Sequence, residues 1–131
     1  MGKETEFQTA GRQIGDGQTA GREKALAIAR LALDKKAADT AILEMREITS
    51  FTDYFVICSG ESTTQVRTIA EYIIEKLGGE GLRPIGVEGL RNARWVLLDF
   101  NEVIVHVFEA ETRDFYQLEK LWLDAPRIPL S

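Results

Sequence analysis

The sequence predicts one α/β domain, a mixed β-sheet with packed helices in the order α-β-β-α-β-β-β-α. Three observations support that class. Tyr54-Phe-Val-Ile-Cys-Ser59 is an unbroken apolar run of strand length, the pattern of a central strand covered on both faces. Ser62 and Gln65 form a capping box, and behind them Val66, Ile69, Ala70, Ile73, Ile74 and Leu77 recur at helical spacing until Gly78. Arg94–Phe108 holds two β-prone runs about a short Asn101-Glu102 turn, the pattern of a hairpin.

Taken in order, residues 1–21 hold Gly2, Gly11, Gly15, Gly17 and Gly21 and repeat Gln-Thr-Ala-Gly-Arg at 8–12 and 18–22. That composition is too polar and Gly-rich to bury much, so a flexible tail is expected. A helix is expected from about Arg22 to Lys36, carrying Leu26, Ile28, Ala29, Leu31, Ala32 and Leu33. Ala41–Ile48 reads as a strand with a polar edge, broken by Ser50–Asp53. After the central strand and the capped helix, a short strand at about Leu82–Val87 leads into a Glu88–Arg94 loop and the hairpin. A last helix is expected from about Thr112, with Phe115, Leu118 and Leu121, ending near Trp122–Pro126. Its aromatics fit core positions better than contact positions. The domain is expected over 22–125, with 126–131 as a short tail.

The 131 residues suffice for one domain with a real core. The chain carries 16 basic and 21 acidic residues, a net charge of −5. Nucleic-acid binders depend on Lys and Arg neutralising phosphates, so direct, sequence-specific nucleic-acid binding is not expected, whereas a basic protein partner suits this charge. No apolar run approaches the ~20 residues that span a bilayer, no secretory leader pattern is visible, and the lone Cys58 sits in a strand-like apolar run. A cytoplasmic protein without membrane contact is expected.

The hairpin carries the functional argument. With a two-residue loop, Phe100 pairs with Val103, Asp99 with Ile104, Leu98 with Val105 and Leu97 with His106. One face then reads Val96, Leu98, Phe100, Val103, Val105 and Val107, which must be core. The other reads Trp95, Leu97, Asp99, Ile104, His106 and Phe108, mixing a large aromatic, an acid and the only histidine of the chain. Two readings stay open for it. His106 and Asp99 form a structural pair with Trp95 as core filler, or Trp95, Leu97, Asp99, Ile104 and His106 form a docking face with Trp95 as anchor.

Other chemistry is scarce. One His and one Cys on different strands do not make a metal site, and no cofactor is expected. A Cys58–His106 nucleophile pair is disfavoured because a thiol in an apolar strand is inert. The Ser59-Gly60 turn before the helix capped by Ser62 resembles the triphosphate entry of nucleotidyltransferases, and it is the alternative site. Those enzymes need an Asp-x-Asp pair for two magnesium ions. The sequence has none, and Glu71 and Glu75 sit within the helix instead.

Asp53-Tyr-Phe-Val-Ile-Cys-Ser-Gly-Glu-Ser62, Gly86-Val-Glu-Gly89, Trp95-Val-Leu-Leu-Asp99, Val103-Ile-Val-His-Val-Phe108 and Arg113-Asp-Phe-Tyr-Gln-Leu-Glu-Lys-Leu-Trp122 occur here in collinear order. Together they resemble the ribosomal silencing factor (Iojap-like) family over roughly 22–125. Asn101 stands where the family usually has Gly, and Asn also tolerates the left-handed conformation such a turn needs. The resemblance implies a nucleotidyltransferase-like α/β fold without the catalytic carboxylates, and a protein that is not an enzyme. It further implies a homodimer that docks on a protein of the large ribosomal subunit at the intersubunit face. Docking there blocks joining of the small subunit and represses translation.

Overall fold

The computed structural model describes residues 13–117, 120 and 124–130. In chain order the elements are α1 (Gln13–Asp34), β1 (Ala38–Glu44), β2 (Tyr54–Gly60), α2 (Thr63–Gly78), β3 (Gly86–Glu88), β4 (Trp95–Asp99), β5 (Val103–Glu109), α3 (Ala110–Tyr116) and β6 (Arg127–Ile128). The six strands form one sheet in the order β3-β4-β5-β2-β1-β6. β2 and β5 run parallel at its centre, and the other neighbours are antiparallel. Every residue of β2 is buried, as its continuous apolar run requires.

The hairpin has the expected register: Asp99 faces Ile104, Leu98 faces Val105 and Leu97 faces His106. Asn101 takes a φ of 77° at the turn, the left-handed conformation anticipated for it. Val96, Leu98, Phe100, Val103, Val105 and Val107 are all buried on one side of the sheet. They pack with Ile42, Val56 and Cys58 beneath Ala25, Ile28, Ala29 and Ala32 of α1 and Val66, Ile69, Ala70, Ile73 and Leu77 of α2. Full burial of a single Val or Ile stabilises by about 1.5–3 kcal/mol, so this layer sets the register of the central strands. A smaller cluster, Leu43, Met45, Phe55, Ile57, Ile104, Phe108 and Ala125, occupies the opposite face, with Leu97 packed against it.

The ends of the chain differ from expectation. Helix α1 begins at Gln13, so residues 13–21 are helical backbone, while 1–12 lie outside the described residues. Gly21 is buried, and a Cβ there would lie 3.2 Å from Cε2 of Tyr54, so the glycine lets the helix approach the sheet. At the other end, Ile128 faces Ile42 and Arg127 faces Leu43, so part of the expected 126–131 tail is a sixth strand. Strand β1 spans Ala38–Glu44 instead of Ala41–Ile48. Asp39 in a left-handed conformation opens an irregularity before Ala41, and the N–H groups of Ile48 and Thr49 both return to the Met45 carbonyl in a turn. The short third strand is Gly86–Glu88. Helix α3 ends when Gln117 turns left-handed, and the expected continuation through Leu118, Leu121 and Trp122 lies outside the described residues. Among the described residues, no helix is long and apolar enough to cross a membrane.

Candidate functional site

Strands β3, β4 and β5 build one continuous face opposite the two long helices. Across it, Glu88 faces Leu97 and Leu97 faces His106, while Trp95 faces Phe108 and Gly86 and Ile104 flank Asp99. All five residues singled out in the sequence therefore share this face, but at two depths. Trp95 is 40% exposed, and Leu97 and Asp99 are half-buried. Ile104 and His106, at 7% and 4% exposure, lie beneath them. Alternation gave the face; the depth comes from β5 being a central strand and β4 lying next to the edge.

Of the two readings left open by the sequence, the His106–Asp99 pair gives way to different hydrogen bonds for both residues. The Trp95 indole N–H donates to His106 Nδ1 at 3.1 Å. The Asp99 carboxylate instead accepts the Asn101 N–H at 2.8 Å, which closes the hairpin turn. An acceptor at Nδ1 places the ring proton of neutral His106 on Nε2. Phe55 meets His106 edge-on at a centroid distance of 4.5 Å, and Phe108 lies 4.9 Å from the Trp95 ring. The indole is thus held by one hydrogen bond and an aromatic bed.

Burial among these rings lowers the His106 pKa from 6.5 to about 4. The unfolded chain then takes up a proton between those values while the folded chain does not. Stability from this residue is full above about pH 6.5 and declines as the pH falls toward 4, by on the order of 3 kcal/mol. Urea unfolding at a series of pH values tests this. His106→Asn is expected to flatten the slope between pH 4 and 6.5, and an unchanged slope would count against the buried neutral ring.

Sequence reading missed two residues beside Trp95. A recess of about 370 Å³ is lined by Glu88, Gly89, Trp95 and Leu97. Glu88 had been placed in a loop, and only the pairing of β3 with β4 sets it opposite Leu97. Gly89 has a φ of +83°, and a Cβ there would overlap the carbonyl oxygen of Trp95. The Gly86-x-x-Gly89 spacing ahead of a β-prone run was the available signal for this tight approach.

The alternative site is filled by the chain's own groups. Ser59 is buried, and its Oγ accepts from Arg113 Nη1 at 2.7 Å. Ser62 Oγ accepts the Gln65 N–H at 3.1 Å, while Gln65 Oε1 accepts the Glu61 N–H at 2.7 Å. A Cβ on Gly60 would lie 3.0 Å from the Val66 nitrogen, so that turn packs on its own helix. Burial pushes the Cys58 thiol up to about 12, far from nucleophilic use, although the Arg113 charge opposes the rise. Among the described residues, no group of three or more His, Cys, Asp and Glu is placed to hold a metal ion.

Comparison with known proteins gives this geometry a family. The pattern described as "Ribosomal silencing factor during starvation" matches residues 18–131. A protein named ribosomal silencing factor RsfS from Bacillus subtilis is 45% identical over 98 residues, covering 75% of this chain and 83% of that one. The mouse protein named "Mitochondrial assembly of ribosomal large subunit protein 1" is 32% identical over 91 residues, covering 67% of this chain and 40% of that protein. A crystal structure of a Bacillus halodurans protein superposes with a TM-score of 0.72 at 38% identity, covering 82% of this chain and 98% of that one. With the fold, the collinear motifs and the family pattern in agreement, this chain belongs to the ribosomal silencing factor family.

Proposed function

We propose that this protein represses translation by binding the large ribosomal subunit through a basic ribosomal protein on its intersubunit face, which blocks joining of the small subunit. The observation that carries this reading is the row Trp95, Leu97 and Asp99, supported from below by Ile104 and His106, on a chain of the silencing-factor family. An accessible aromatic held rigid over a packed bed is the usual make-up of an interface anchor. The acidic balance of the chain favours a basic protein surface over bare RNA. The large-subunit assignment also draws support from the name of the mouse relative.

The protein works by steric exclusion, as a homodimer in the cytoplasm, and not as an enzyme. Its architecture is nucleotidyltransferase-like without the acidic pair that catalysis requires. The engaged Ser59 and Ser62 hydroxyls support that view, since a nucleotide would have to displace Arg113 and the helix cap. Sedimentation with isolated large and small subunits on sucrose gradients, combined with a subunit-joining assay, tests the proposal. The expected result is co-migration with the large subunit alone and fewer joined ribosomes. Migration with neither subunit, or with the small one, would remove it.

A further inference from the structure

We infer that the recess beside Trp95 is a subsite for one cationic side chain, arginine or lysine, of the docked protein. The inference deepens the docking reading above and rests on it. The recess has two apolar walls, the Trp95 indole and Leu97, and one charged lining residue, Glu88. That combination fits a long basic side chain, whose methylene stem packs on apolar surface while its head meets a carboxylate. A cation over an indole face gains further from the ring quadrupole.

The register makes the charge argument sharper. On the β3–β4 pair, the residues that face the partner are Glu88, Trp95, Leu97 and Asp99, with Gly86 opposite Asp99. Two carboxylates thus flank Leu97, and no basic side chain of either strand stands on this face. His106, the next residue across the sheet, is neutral above about pH 4 and adds no positive charge. Arg94 directs its guanidinium toward Glu109, at 4.0 Å. Among the described residues of β3 and β4, this face carries negative charge alone, which attracts a basic protein side chain and repels an RNA phosphate.

The walls are also fixed before anything binds. The His106 hydrogen bond holds the indole, and Gly89 brings the loop against the Trp95 backbone. Rotamer freedom is already spent, so less is lost when a partner side chain enters.

Binding of Glu88→Gln and Glu88→Lys to isolated large ribosomal subunits, measured by co-sedimentation at low and high salt beside Trp95→Ala, tests the inference. Glu88→Gln is expected to bind about tenfold more weakly at low salt, and Glu88→Lys about a hundredfold. The gap from the parent protein should narrow at high salt. Glu88 is exposed on an edge strand, so both variants should melt within about 2 °C of the parent, which separates lost contact from lost fold. Release by Trp95→Ala with unchanged binding of Glu88→Lys would overturn the subsite and leave docking in place. Tighter binding of Glu88→Lys would also overturn it, by showing phosphate at that position. Parent-like binding of both Trp95→Ala and Glu88→Lys would remove the docking face itself.

Discussion

Trp95→Ala is expected to abolish co-sedimentation with the large ribosomal subunit, a loss of at least about thirtyfold or 2 kcal/mol. The size follows from what the indole does. It is the largest accessible apolar group of its row, and its N–H is already directed at His106. A partner therefore meets a ring whose orientation costs it little. Stability should change less than binding, because 40% of the residue is exposed in the free protein. Trp95→Phe separates two contributions: it keeps an aromatic surface but cannot donate to His106, and intermediate binding is expected. Asp99→Arg should release the subunit as well, by charge reversal at the row's other end. If Trp95→Ala and Asp99→Arg both co-sediment like the parent, docking takes place elsewhere.

Gly89→Ala should be the most damaging glycine-to-alanine change among the described glycines, destabilising by about 3 kcal/mol or more. Gly81 provides an internal control. Both glycines have left-handed backbones, with φ of +82° at Gly81 and +83° at Gly89. A Cβ on Gly81 meets nothing within 4 Å, so Gly81→Ala should cost only the backbone penalty of about 1–2 kcal/mol. A Cβ on Gly89 runs into the Trp95 carbonyl oxygen and forces the loop or β4 to move. The Gly89 carbonyl also accepts the N–H of buried Ala93 at 2.8 Å, so the loop has little room to yield. Urea unfolding of the two variants side by side gives the steric part by difference. Equal losses would mean that the close approach to Trp95 carries no energetic weight.

The central fold was readable because its signals were local and redundant. The apolar run at Tyr54–Ser59, the Ser62–Gln65 cap and the alternation through Trp95–Phe108 each had one sensible structural solution. What escaped depends on pairing between distant segments. Residues 127 and 128 read as tail because nothing in so short a stretch shows that Ile42 and Leu43 will pair with it. Helix α1 reaches back to Gln13 through glycines that composition assigns to a tail. At the site, period-2 alternation placed Trp95, Leu97, Asp99, Ile104 and His106 on one face. It could not say that His106 lies under Trp95, because depth depends on position within the sheet. Nor could it bring in Glu88, whose place is set by β3 aligning along β4.

The parallel pairing of β2 with β5 has a consequence for the order in which the protein takes shape. The β4–β5 hairpin is closed by a two-residue turn and can form in about 1–10 μs. Tyr54 and Val103, by contrast, meet across a long stretch of chain, with α2, β3 and β4 all between them. High contact order of this kind slows folding, because loop entropy is lost before the contact returns any energy. The hairpin therefore waits for β2, and Phe55, which seats the His106 ring, arrives with that strand. The aromatic bed around His106 and Trp95 is therefore complete only once β2 has paired with β5.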